Sequence, residues 1–215
     1  PSTSVQFESR KFEWDYGDLG LHFSGHADES KRSDLIRETH RIGLTHRTDS
    51  AGAFLVSAAR QKVTDRMDFM PDPDTTYVFD SKADPETLEL QYVRRMSGRH
   101  VVTGVGVYSN NQVVDVVGAS LGDIYFMQTD NQDFRHFNGY IYYSADIADS
   151  VIINTGLAYD KVRNDAEETI DMLGTVEKMS SLSEDEHWSP KLGLVLQAFE
   201  NWFFRVATFK TFQRE

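Results

Sequence analysis

Two predicted strands near the middle of the chain carry side chains that could perform acid–base chemistry. His100 opens one strand and Asp115 lies on the next, and an imidazole beside a carboxylate is a common general-base pair. Arg94 and Arg95 are consecutive in the preceding strand, so one guanidinium points to each face of the sheet. An inward arginine needs a carboxylate such as Asp115 or an anionic ligand. The sequence therefore predicts His100 and Asp115 as catalytic residues, and Arg94 and Arg95 as ligand-binding residues.

Aromatic side chains in the second half of the sequence favour a pocket for a flat or apolar ligand. Tyrosine brings a polar hydroxyl to an apolar wall, which suits such a pocket. If the strands that carry them pair, the tyrosines face the aromatic residues near the C-terminus. The alternative interpretation is a set of ordinary cross-strand core pairs. The ligand-binding residues predicted on this basis are Tyr125, Tyr140, Tyr142, Phe199, Trp202 and Phe203.

A histidine pair near the N-terminus has the spacing of two metal ligands. His22 and His26 are four residues apart, which on a helix would place both imidazoles on one face. Gly25 lies between them, and the glycines around the pair are typical of a loop. Surface histidines are therefore the favoured interpretation, and the sequence predicts no metal site and no cofactor.

The segment 75–156 has the composition of β-strands. Candidate runs rich in Val, Ile, Tyr and Phe are 76–80, 88–96, 100–108, 112–118, 123–129, 137–144 and 151–154. The breaks between these runs carry turn residues, at Ser97-Gly98, 109–111, Leu121-Gly122 and 130–133. Connections this short force antiparallel neighbours. We therefore expect an antiparallel meander of about six strands.

Residues before this segment predict one strand and two helices. Val5 and Phe7 alternate with polar residues, and the alternation then slips by one at Phe12, Trp14 and Tyr16, which indicates a bulge. Helices are predicted over 30–44 and 50–67, where apolar residues recur at three- and four-residue spacing.

The C-terminal segment 157–215 is predicted to be helical. Ser189-Pro190 is a typical helix start, and a wide apolar face follows it, which predicts a long helix over 190–212. The predicted fold is a single α+β domain over 1–215. Its meander packs against the C-terminal helix, and two helices lie near the N-terminus. This order of elements is similar to that of helix-grip folds, in which an apolar cavity can lie between sheet and helix.

Two short stretches resemble core strands of ADP-ribosylating toxins. The stretch 53–57 is similar to a Ser-Thr-Ser strand of that family, and 77–84 is similar to its Tyr-x-Tyr-containing strand. Glu184-Asp185-Glu186 spells the family's acidic Glu-x-Glu signature. The resemblance implies an ADP-ribosyltransferase-like chain, active or inactive, that binds NAD.

Composition limits the remaining function classes. The net charge of −12 disfavours binding to a nucleic-acid backbone, and the absence of cysteine excludes thiol catalysis and Cys-ligated metals. The sequence contains no run of about 18 apolar residues, which a membrane span would require, and no signal peptide is visible. We therefore expect a soluble protein without membrane contact, with a cytoplasmic location favoured.

Three functions are compatible with these observations. The first is a small-molecule binding domain or acid–base enzyme whose pocket lies between the sheet and the last helix. The second is a non-catalytic interaction protein that forms oligomers through the aromatic helix face. The third is the ADP-ribosyltransferase-like chain.

Overall fold

The computed structural model describes residues 2–17, 31–48, 51–72, 74–120, 123–199 and 202–210. These residues form one nine-stranded antiparallel sheet in which every strand pairs with its neighbours in chain order. The strands are β1 (Ser2–Gly17), β2 (Lys31–Arg47), β3 (Gly52–Asp72), β4 (Thr75–Met96), β5 (Arg99–Ser120), β6 (Asp123–Ala148), β7 (Val151–Met172), β8 (Thr175–Phe199) and β9 (Trp202–Phe209). In the described ranges, no helix has the length and apolar character needed to cross a membrane.

The connections 97–98, 149–150 and 173–174 are tight turns of two residues. Ser97-Gly98 joins β4 to β5, and Leu173-Gly174 joins β7 to β8. Gly98, Leu173 and Gly174 have φ values of 63°, 51° and 85°. In the Leu173-Gly174 turn both central residues have positive φ, which is the conformation that matches a two-residue hairpin turn to the twist of its strands, whereas in the Ser97-Gly98 turn only Gly98 does. The Asp171 side chain accepts a hydrogen bond from the Gly174 amide at 2.9 Å and fixes the second turn.

The pairing register assigns every side chain to one of two faces, because directly opposite residues share a face. We call the face that carries Phe7, Leu90 and Trp188 the outer face, and the opposite one the inner face. Phe7 and Trp188 are 74% and 57% exposed, whereas Ala158 and Ser189 on the inner face are 5% and 6% exposed. Such low exposure of small side chains is expected on the concave side of a curved sheet, which here is the inner face.

Apolar residues form a continuous band on the outer face. It crosses all nine strands near the turns at 48–51, 97–98 and 149–150, and we call it the outer apolar band. Its main members are Val5, Phe7, Ile42, Leu44, Phe54, Val56, Leu88, Leu90, Tyr92, Val101, Val105, Val107, Phe137, Ile141, Tyr143, Ile153, Leu157, Tyr159, Trp188, Leu192, Leu194, Phe204 and Val206.

The strands are much longer than this band. On β6, β7 and β8 the band occupies 137–145, 151–159 and 188–196, while the whole strands have 26, 22 and 25 residues. A tilted strand of about 9–11 residues is enough to cross a bilayer core. We call the part of the sheet that carries the band the band half, and the remainder the distal half.

The distal half has the opposite distribution of polar and apolar side chains. Its outer face is dominated by charged residues in ion pairs. Arg32 of β2 pairs with Asp15 of β1 (2.6 Å), whereas Arg66 with Asp68 (3.2 Å) and Arg135 with Asp133 (2.7 Å) are pairs within one strand. Its inner face carries the aromatic residues Phe69, Tyr77 and Tyr125. The apolar side therefore changes face between the two halves in β1, β3 and β4.

The predicted α+β class is wrong, because all nine elements of the described chain are strands. The helix predicted over 50–67 is part of β3, and most of the one predicted over 30–44 is β2. The predicted long C-terminal helix is a hairpin of β8 and β9, in which Leu194 lies opposite Val206. Apolar residues four positions apart share a face of a strand as well as of a helix, so their spacing did not distinguish the two.

The antiparallel sheet and the turn at Ser97-Gly98 are confirmed, but two other predicted turns are wrong. Residues 109–111 and 130–133 continue within β5 and β6. They lie where the band half meets the distal half, and there both faces are polar. The predicted slip in β1 is not a bulge, since its register with β2 is unbroken from Ser2 to Gly17. It is the point where the apolar side changes face. Leu121-Gly122 lies outside the described residues.

Candidate ligand-facing surfaces

The predicted catalytic pair is not assembled by this fold. His100 and Asp115 lie on the same strand, β5, at opposite ends and on opposite faces. Fifteen residues of strand separate them, which is about 50 Å at the usual rise. His100 lies on the inner face opposite Arg95, whereas Asp115 lies on the outer face and accepts a hydrogen bond from Thr129 at 2.8 Å.

The two predicted arginines point to opposite faces, as strand geometry requires. Arg94 is on the outer face and donates to the Tyr92 hydroxyl at 3.4 Å. Arg95 is on the inner face at the end of β4, far from Asp115 along the sheet. The ion pair expected between one arginine and Asp115 is therefore not formed.

The three predicted tyrosines all lie on the inner face but in different halves. Tyr140 and Tyr142 are stacked in the band half with ring centroids 5.3 Å apart. The Tyr140 hydroxyl accepts from Gln91 at 2.8 Å and donates to Glu89 at 3.1 Å. Tyr125 belongs to the distal half.

The three predicted C-terminal aromatics do not share a helix face. Trp202 and Phe203 are consecutive in β9, so their side chains point to opposite faces. Trp202 is on the outer face and Phe203 on the inner face, and both are exposed. Phe199 ends β8, and its side chain is outside the described residues, as are His22 and His26.

A groove on the inner face of the band half brings together three of the predicted residues. It has a volume of about 690 Å³ and extends across β5 to β9. His100, Tyr142 and Phe203 line it together with Lys191 and Arg205, which the sequence reading missed. We call it the basic groove, because its described lining includes these cationic side chains and no carboxylate. Side chains alternate between the two faces along a strand, and this alternation places Lys191 and Arg205 on the same face. The sequence offers this signal only if both segments are treated as strands.

Lys191 is held in place by the tyrosine beneath it. Its Nζ donates to the Tyr142 hydroxyl at 3.1 Å and lies 4.9 Å from the ring centroid. Gly156 is directly opposite Tyr142 on β7, and a Cβ there would overlap the tyrosine ring. The glycine therefore lets the ring lie flat against the inner wall.

Aromatic rings on the inner face of the distal half form a second surface, which we call the distal aromatic cluster: Phe69, Tyr77 and Tyr125. The Phe69 and Tyr77 centroids are 6.4 Å apart, and those of Tyr77 and Tyr125 are 6.3 Å apart. The Tyr125 hydroxyl donates to the Tyr77 hydroxyl at 2.6 Å. Gly118 makes room, since a Cβ there would come within 3.1 Å of Tyr125.

A polar network lies on the inner face where the two halves meet. Asp160 accepts from Asn138 at 2.7 Å, and its carboxylate is 3.0 Å from Nε2 of His136. Among the described residues, no cluster of His, Asp and Glu has the arrangement of a metal site.

Charges mark the distal edge of the outer apolar band. Lys161 is the next residue after Tyr159 on the outer face of β7, and it contacts both Glu184 and Glu186 of β8. The hydrogen bonds that Lys161 donates to these two carboxylates raise its pKa. The hydrogen bond from Lys161 in turn lowers the pKa of Glu186. The strands therefore change from apolar to fully charged side chains within two residues of the aromatic edge.

Comparison with known proteins shows similarity to solved structures in fold only. No family model and no curated protein match the sequence. Among solved structures, the chain is similar to the ferric yersiniabactin uptake receptor FyuA from Yersinia pestis, with a TM-score of 0.82 and 13% identity over 94% of this chain and 33% of the receptor. It is also similar to the ferric-catecholate import receptor Fiu from E. coli K12, with a TM-score of 0.73 and 10% identity over 96% of this chain and 44% of the receptor.

A third similar structure is the siderophore receptor PiuA from Acinetobacter baumannii, with a TM-score of 0.60 and 12% identity over 93% of this chain and 38% of that one. The chain therefore spans less than half the length of each of these structures. The class that the fold defines is the strand meander of outer-membrane β-barrels.

These findings correct the functional expectations. A soluble domain with a pocket between sheet and helix is wrong, because the described chain has no such helix and its apolar side chains form an exposed band. The ADP-ribosyltransferase-like interpretation and the interaction protein built on a helix face are wrong for the same reason. Segments 53–57 and 77–84 are parts of β3 and β4 in the meander. The expectations of no membrane contact and a cytoplasmic location are also wrong, since the similar structures are outer-membrane proteins.

Proposed function

We propose that this chain is part of the transmembrane wall of an outer-membrane uptake receptor. The outer apolar band contacts lipid, and the inner face lines the interior through which the ligand passes. The observation that carries the proposal is the band itself, which is continuous over nine strands while the inner face at the same level is mostly polar or small. Alternation of this kind is the pattern of strands that separate lipid from a polar lumen.

Aromatic residues at both edges of the band support this orientation. Phe7, Phe137, Tyr159 and Trp188 lie at the distal edge, and Phe54, Tyr92, Tyr143 and Phe204 lie near the turns. Tyr159 and Trp188 are 4.8 Å apart between centroids, and Phe54 and Tyr92 are 4.6 Å apart. Aromatic girdles at the two lipid–water interfaces are typical of membrane strands. Because unpaired strand edges are not tolerated in lipid, β1 and β9 pair in this proposal with further strands that complete a barrel.

A ferric chelate is the ligand class that we propose for this receptor. The support is the fold shared with receptors named for ferric yersiniabactin and ferric catecholates. The distal aromatic cluster is the surface that we assign to ligand contact, because its rings are only half-buried and lie on the inner face. Flat aromatic faces beside a hydroxyl pair can pack against a ligand with aromatic or apolar groups.

Single cysteines provide the test of the membrane orientation, since the natural sequence has none. Ile141 is on the outer face of β6, and Ser144, three residues later, is on the inner face. We expect a bimane label on Ile141→Cys to be quenched by brominated lipids after reconstitution, and the same label on Ser144→Cys to be quenched much less. Equal quenching of the two labels would reject the proposed orientation.

A further inference from the structure

We propose that the basic groove is a binding site for a small organic anion that carries two or more carboxylate or phosphate groups. The groove lies on the inner face of the band half, at the opposite end of the strands from the distal aromatic cluster. It is therefore a second ligand surface, distinct from the aromatic one. Its place on a ligand pathway rests on the proposed function, whereas its ability to bind an anion rests on its own lining.

The charges that line this groove favour the binding of an anion. The chain has 34 acidic and 22 basic residues, and most of the cations in the distal half are paired with carboxylates. Lys191 and Arg205 instead contact no carboxylate among the described residues, although the chain has an excess of acids. A cation that faces a concave wall without a counter-ion leaves its electrostatic potential available to a ligand.

The shape of the groove suits an anion with an apolar portion. The Tyr142 hydroxyl and ring position the Lys191 ammonium over the inner wall. Gly193, two residues along β8 on the same face, adds no side chain to the wall, and a Cβ there would lie 3.6 Å from Asn154. His100 and Asn154 add polar groups, while Val102 and Phe203 supply apolar surface. Arg205 presents a planar guanidinium, which binds carboxylate and phosphate through two parallel hydrogen bonds.

Citrate and inorganic phosphate are suitable probes, and their binding is measured calorimetrically with the purified protein in detergent micelles. We expect the double variant Lys191→Gln/Arg205→Gln to bind citrate at least about tenfold more weakly than the natural protein, because desolvated charge pairs dominate such affinities. The matched control is Lys62→Gln/Lys178→Gln, which removes the same charge from the outer face. We expect this control to stay within about twofold of the natural affinity.

Tyr142→Phe tests the positioning of Lys191 and removes only a hydroxyl. We expect a smaller loss of citrate affinity than in the double variant, with unchanged binding in a matched Tyr92→Phe control on the outer face. Inorganic phosphate should bind more weakly than citrate, because it engages fewer of the groove's cations at once.

Three results would overturn the inference. They are no binding of either probe by the natural protein, an equal loss of affinity in the two double variants, and a thiol at Arg205→Cys that is inaccessible to a small water-soluble reagent. The last result would mean that a polypeptide segment fills the groove. Because these measurements do not depend on which face contacts lipid, they can fail while the bimane experiment succeeds, and the reverse.

Discussion

Strands such as β4 place their apolar side chains on opposite faces in the two halves of the sheet. In the band half, Leu88 and Leu90 of β4 point outward and Gln91 points inward. In the distal half, Asp80 and Lys82 of the same strand point outward, and Tyr77 points inward. A strand in which the solvent changes from lipid to water along its length must exchange its apolar side, because water does not favour an apolar outer surface. Under the proposed function, the comparison places the membrane boundary between the two halves.

The largest expected effect comes from placing a charge on the outer face of the band half. Leu90→Arg should destabilise the protein in lipid vesicles by about 2–4 kcal/mol, because the guanidinium then lies near the bilayer midplane. The control is Ile36→Arg, on the outer face of the distal half opposite Glu13, which we expect to cost less than about 1 kcal/mol. Urea unfolding of both reconstituted variants measures the difference. Similar costs for the two variants would contradict a boundary between the halves.

A smaller effect is expected from closing a space on the inner face of the band half. A Cβ at Gly104 would lie 2.7 Å from the Tyr140 hydroxyl and 2.9 Å from the Leu90 carbonyl. Gly104→Ala should therefore destabilise the protein by about 1–3 kcal/mol through overpacking. Gly106 is on the same face two residues later, and its Cβ would meet nothing closer than 3.9 Å. Gly106→Ala should stay within about 1 kcal/mol of the natural stability in the same unfolding measurement.

The smallest effect concerns the ligand rather than stability. The double variant Tyr77→Ala/Tyr125→Ala removes two of the three rings of the distal aromatic cluster. It should lower the affinity for ferric chelates about tenfold, because these two rings contact the ligand in our proposal. Tyr92→Ala is the control, since this tyrosine of β4 is on the outer face of the band half. Tryptophan fluorescence titration with ferric citrate and a ferric catecholate compares the variants. Unchanged affinity in the double variant would remove the cluster from the ligand site.

Some of the fold could be predicted from particular residues. Ser97-Gly98 was assigned to a turn because glycine adopts positive φ, and Gly98 does so at 63°. The strand runs between 88 and 108 can be predicted because they are rich in strand-forming residues and are separated by turn residues. Local chemistry decides both features, so no knowledge of distant residues was needed.

The candidate sites could be predicted only in part. Tyr142, His100 and Phe203 were singled out by residue type, and they line the basic groove. Lys191 and Arg205 cannot be grouped with them from the sequence, because the apolar spacing in 190–212 predicts one helix rather than two paired strands. The turn residues at 109–111 predict that His100 and Asp115 lie on neighbouring strands, whereas β5 continues through 109–111.

The sequence by itself determined that the middle of this chain is an antiparallel meander, because strand propensity, alternation and turn residues are local properties. Only the tertiary structure decided that the terminal segments are strands too, because apolar residues four apart, such as Leu192 and Leu196, share one side of either a helix or a strand. It also decided which face each apolar residue occupies. The face depends on the environment of that part of the strand. The position of each residue along the sheet follows only from the pairing register over nine strands.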